Sequence, residues 1–248
     1  LQQTHGYADP VTVEAASRAL ALAKQAGMLG KVLVEESQLW RAVITAGDYQ
    51  QADAITQRVM SLSKETAAGE EIPWLDYFHA NARIQTSFYT GRLRDFETDY
   101  AVLQQVIGKQ GVSHSPSDDV VAIGVAALAA WVSGRSDLGA QRIAAAIQIA
   151  DNGGQPYAAA VASHFAGTFS AFEGDYEAAI AHTKTALDVC EENGFAYIAH
   201  LARAKFGWIS AAGGSGEDDI ATMRNTIDQM AKANALVGLT INMNRMAM

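Results

Sequence analysis

Apolar residues recur along this chain at the three- and four-residue spacing of helices, and glycines interrupt them at regular intervals. The stretch from Gly167 to Gly194 contains the unit. Gly174-Asp175 breaks one helix, and Tyr176, Ala179, Ile180, Thr183, Ala186, Leu187 and Cys190 then mark one face of the next. Gly194 closes it, as a residue that takes a left-handed backbone at little cost. Small residues at Gly167, Ala179 and Ala186 let two antiparallel helices approach closely, with Tyr176, Ile180 and Leu187 filling the seam. Turn glycines recur at Gly47, Gly91, Gly134, Gly174 and Gly214, separated by 44, 43, 40 and 40 residues. An interleaved series, Gly27, Gly69, Gly111, Gly154 and Gly194, with Asn234 in the same role, ends the second helices. Pro10, Pro73, Pro116 and Pro156 each follow the chain start or one of these terminators and begin a helix, where a first-turn proline is tolerated.

These signals predict an all-α chain of about 12 helices over residues 1–248, a single repeat domain. Full pairs are expected at 29–68, 73–109, 117–152, 156–193 and 195–233, with unpaired helices at 10–26 and 236–248. The second pair replaces small packing residues by Phe96 and Asp99 and opens its second helix at Leu93. The loop VSHSPSDD at 112–119 offers Ser115 or Ser117 as a cap, with Asp118 and Asp119 near the positive helix end. Gly167 and Gly207, each seven residues before a turn glycine, are expected where first helices meet their neighbours. In the last segment Leu239, Ile241, Met243 and Met246 call for a partner, so the natural protein is expected to continue. The start at Leu1 reads as a fragment or a processed product.

A 49% hydrophobic fraction with only four prolines favours helix throughout. The formal charge of −9, with 18 lysines and arginines, leaves no electrostatic footprint for nucleic acid or an anionic membrane. Cys190 is the only cysteine and lies on the apolar face of its helix, where burial is expected. One cysteine excludes an internal disulfide framework, which suits a reducing cytoplasm. No apolar run approaches the roughly 18–20 residues that span a bilayer.

The pattern G-x6-G-D-Y-x2-A-I-x5-A-L at 167–187 resembles a tetratricopeptide repeat at its packing positions. Further matches lie at 5–27, at AGDYQQADAITQRVMSLS (46–63), at PYAAAVASHFAG (156–167) and at FGWISAAGGSGEDDIATMRNTI (206–227). Together they resemble the tetratricopeptide region of bacterial signalling ATPases and adenylate cyclases and of MalT-like, LuxR-type transcriptional regulators. The resemblance implies a right-handed α-solenoid of antiparallel helix pairs. Its motifs specify packing, so it carries over no catalytic residue.

The chemistry-bearing motifs are missing. Gly30-Lys31 and Gly108-Lys109 lack the upstream glycine and following hydroxyl of a phosphate-cradling loop, and GGSGEDD at 213–219 follows a helix instead of a strand. The six histidines form no i, i+4 pair, and no G-x-S-x-G elbow occurs. The expectation is a non-enzyme with no cofactor and no metal. First helices of such arrays line the concave face, and positions ten and six residues before each turn glycine point into it. In the first half these are Ser37 and Arg41, then Asn81 and Gln85; in the second, Gly124 and Leu128, His164 and Thr168, Ala204 and Trp208. Trp40 is assigned to the core, Trp131 and Trp208 to a groove. The expected partner is a protein or peptide held in that groove; the alternative is a small-molecule inducer bound there.

Overall fold

The computed structural model describes residues 6–66, 73–94, 96–107, 115–212, 217–232 and 234–236. The described residues form eleven α-helices and no strand. They fall into two compact units, one within Tyr7–His114 and one within Ser115–Met248. No helix among them is long and apolar enough to cross a membrane.

Unit 1 contains α1 (Pro10–Gln25), α2 (Leu29–Thr45), α3 (Tyr49–Thr66), α4 (Pro73–Tyr89) and α5 (Phe96–Val106). Each packs on the next. Unit 2 contains α6 (Pro116–Val132), α7 (Ser136–Gly153), α8 (Pro156–Glu173), α9 (Tyr176–Asn193), α10 (Ala196–Ala212) and α11 (Glu217–Lys232). Here too consecutive helices pack together, and in addition α6 packs on α8 and α8 on α10.

The glycine turns explain why the helices stop where they do. At Gly47 the amide donates to the Ile44 carbonyl (3.0 Å) and the next amide, Asp48, reaches back to Val43 (3.1 Å). Both bonds satisfy carbonyls that a helix end leaves without partners, and they require a left-handed residue between them. The same two bonds recur at Gly91, Gly134 and Gly174, with φ of 72°, 76° and 80°. In the second series Asn234 takes φ 54° in place of a glycine. Gly69, Gly111, Gly214 and the expected last helix beyond Leu236 lie outside the described residues. After Gly47 and Gly174 an aspartate starts the following helix: Asp48 Oδ1 accepts from Gln51 N and Asp175 Oδ1 from Ala178 N, both at 3.0 Å. Helices begin at all four prolines. Ser115 caps α6 by accepting from Ser117 N, with Asp118 and Asp119 in its first turn.

Two expectations are corrected in detail. Helix α5 begins at Phe96 and not at Leu93. Arg92 stands where the Gly47 and Gly174 turns have aspartate, and sends its guanidinium to Asp53 on α3 (2.9 Å). In this second pair Phe96 and Asp99 are both buried, with Asp99 paired to Arg83 at 3.0 Å. Finally, Ala179, Thr183, Ala186 and Cys190 form the buried face of α9 as expected, but Tyr176 is exposed and Ile180 and Leu187 are half-buried. Tyr176 therefore meets Trp208 edge-on, with ring centroids 6.4 Å apart, rather than filling the seam.

The two units build their cores differently. Unit 1 relies on large side chains: Leu33, Trp40, Ile55, Val59, Leu75 and Phe78 form one cluster, with Trp40 and Phe78 edge to face at 5.6 Å. Unit 2 relies on small residues that let helices close in. A Cβ on Gly124 would stand 2.3 Å from the Phe165 ring, and one on Gly139 2.4 Å from Phe169. A Cβ on Gly167 would meet Thr183 Oγ1 at 2.6 Å, which places Gly167 where α8 contacts α9.

Candidate functional site

The groove positions of unit 1 are largely covered. Ser37 is buried and its hydroxyl donates to the Val34 carbonyl at 2.6 Å. Arg41 is half-buried. Asn81 and Gln85, one helical turn apart on α4, are both buried, and Gln85 Nε2 donates to Asn81 Oδ1 at 2.8 Å. That bond commits one amide proton of Gln85 within the helix.

Between α1, α2 and α3 lies a charged cluster that the groove positions do not include. Glu36 has no exposed surface. Its carboxylate accepts from Lys24 Nζ (3.1 Å), from Arg58 Nε (3.1 Å) and from a second Arg58 nitrogen (2.7 Å). Burial alone would push the Glu36 carboxyl up, and the hydrogen bonds and charges of Arg58 and Lys24 reverse this, holding it below its ordinary value. The forked arginine contact gives the geometry its strength.

Unit 2 brings one of the expected residues, His164 on α8, to Lys205 on α10, which sequence reasoning did not select. Lys205 is 4% exposed, and its Nζ lies 3.1 Å from His164 Nδ1 and also donates to the His164 carbonyl. Thr168 donates to that same carbonyl at 2.9 Å. The Phe165 ring, seated on Gly124, meets the imidazole edge-on at 5.6 Å. Burial holds the Lys205 ammonium well below its ordinary value; burial and the adjacent Lys205 charge do the same for His164. Among the described residues no carboxylate pairs with Lys205. The signal was present in the sequence: Ile198, Ala202, Lys205 and Ile209 share one buried stripe of α10, and the template positions ten and six residues before the glycine skip it.

The remaining aromatic and thiol assignments are clear. Trp40 is in the core. Trp131 is half-buried, lies against Phe172 at 4.8 Å, and donates to Glu173, which also accepts from Ser136 at 2.6 Å. Trp208 is buried. Burial pushes the Cys190 thiol up to about 11, so it is not a reactive nucleophile at neutral pH. The described residues contain no cluster of three or more potential metal ligands.

No protein-family model and no curated protein matches the chain. Among solved structures it is similar to the crystal structure of BtubC (BKLC) from P. vanneervenii, with a TM-score of 0.58 and 14% identity over 91% of each chain. At that identity the likeness concerns the fold alone, and it agrees with an all-helical, repeat-like chain.

Proposed function

We propose that the chain is a tetratricopeptide-like, right-handed α-solenoid of antiparallel helix pairs, serving in the cytoplasm as the protein-interaction or regulatory module of a larger bacterial signalling or transcription-regulatory protein. The observation that carries this reading is the recurring turn: the same pair of hydrogen bonds closes the first helix at Gly47, Gly91, Gly134 and Gly174. Stacked copies of one helix pair bury a continuous core and leave a long face of first-helix side chains for a partner. The packing of α6 on α8 and α8 on α10 supports it, since first helices that touch one another form such a face.

The test asks which face touches the partner. A photo-crosslinking residue placed at Arg41 or Thr168 in the cell should capture a defined polypeptide, and the same residue at Glu177 or Asp188 should not. Arg41→Ala should then weaken the isolated complex while helicity stays unchanged. Capture from Glu177 or Asp188 alone would move the interaction to the outer face, and capture from no position would argue against a protein partner.

A further inference from the structure

A lysine is almost never fully buried unless it is paired, because an ammonium removed from water needs a counter-charge or a full set of acceptors. Lys205 has neither among the described residues. The ammonium carries three protons, and the described residues offer it two acceptors, both on His164. When Nδ1 accepts from Lys205, the neutral imidazole carries its own proton on Nε2. That Nε2–H has no acceptor among the described residues, and the residue as a whole is half-buried. The result is a polarised chain: a buried cation, an imidazole oriented by it, and an N–H donor at the far edge without a partner. Three neighbours hold it in place. Thr168 and Lys205 pin the His164 carbonyl, Phe165 backs the ring, and Gly124 gives Phe165 its room.

We infer that His164 and Lys205 form a binding site for a small oxyanion, a carboxylate or a phosphate, received at the imidazole edge with Lys205 as its buried counter-charge. The oxyanion oxygen accepts from Nε2–H, a charge-assisted bond strengthened by the low dielectric around Lys205. The near-complete burial of Lys205 suits a small ion and not a polypeptide strand. This site does not depend on the protein-interaction reading.

The experiment uses the whole chain with acetate, succinate and inorganic phosphate, each compared with chloride at matched ionic strength. A preferred oxyanion should raise the melting temperature by at least about 2 °C, and should move the His164 imidazole signals in a 1H–15N spectrum assigned with His164→Phe. Acetate or succinate acting alone identifies a carboxylate ligand, and phosphate acting alone a phosphate ligand; either supports the site. In Lys205→Met, which keeps the buried stripe apolar, both responses should disappear. An equal melting shift in Lys205→Met would overturn the assignment, as would His164 signals that respond to none of the three anions.

Discussion

Glu36 and Lys205 occupy comparable places in the two units. Each stands on the buried stripe of its helix, between Leu33 and Trp40 in α2 and between Ala202 and Ile209 in α10. Around Glu36 two cations reach in from α1 and α3, and their own stems remain half in water, so the carboxylate is fully paired while its partners keep part of their hydration. Around Lys205 the neighbours are a neutral imidazole, a carbonyl and apolar side chains. A charge supplied with partners ties three helices together. A charge without them is a local weakness, and such weaknesses are tolerated where something else binds.

The largest expected effect is on the paired side. Arg58→Met removes the forked contact and leaves Glu36 buried with Lys24 alone, which should cost about 3 kcal/mol, in the range for breaking a buried pair from one side. Urea unfolding checks it: the midpoint should fall with the slope unchanged. The pH dependence follows from the same geometry. Because the folded Glu36 carboxyl titrates below its ordinary 4.5, its contribution is fully present above about that pH and is lost as pH falls through the folded value. An acid-unfolding midpoint that Arg58→Met does not shift upward would mean the cluster adds nothing.

On the unpaired side the sign reverses. Lys205→Met removes a buried cation and keeps a stem of similar length, and should stabilise the chain by about 1 kcal/mol at neutral pH. The unfolded chain binds a proton on Lys205 that the folded chain resists, so in the native protein this group makes stability rise with pH from its folded value toward 10.5. His164 acts in the same direction toward 6.5. Cys190 opposes both from about pH 9 upward, because its folded thiol holds its proton to about 11. The upward slope that Lys205 gives the native chain, from its folded value toward 10.5, should flatten in Lys205→Met. Loss of stability in that variant would show that Lys205 is satisfied within the fold.

Much of the fold was legible because its punctuation is chemical. Glycine in the left-handed region, aspartate after it and proline in a first turn act locally, so the helix ends at Gly47, Gly134, Gly174 and Gly194 could be read without knowing what packs on them. The start of helix α5 was less legible: the turn at Gly91 could be read, but the chain after it is held by the tertiary contact of Arg92 to Asp53, which spacing does not reveal. The site was less legible. The template positions chose His164 and Trp208 but skipped Lys205 and Glu36, whose burial depends on which face of the helix meets the core. Reading charged residues by their place on the apolar stripe would have found both. Asn81 and Gln85 fit the template, but their mutual hydrogen bond and their burial depend on tertiary packing, which spacing does not reveal.

A third charge arrangement completes the comparison and has the smallest expected effect. Arg203 on α10 and Glu191 on α9 pair at 3.0 Å, with 38% and 61% of their side chains exposed. The distance is close to that of Arg58 to Glu36, so if proximity alone set the strength of an ion pair the two substitutions would cost the same. Water makes them differ: both partners of the exposed pair lose little hydration and regain it when separated, and ordering two long side chains offsets most of the attraction. Arg203→Ala should therefore cost about 0.5 kcal/mol or less, and that difference should vanish at high salt, where the screening length falls to about 3 Å. The effect of Arg58→Met should persist under the same conditions, because ions cannot enter around Glu36. Equal losses for the two variants, or equal salt sensitivity, would mean that burial is not what separates the paired carboxylate of unit 1 from an ordinary surface contact.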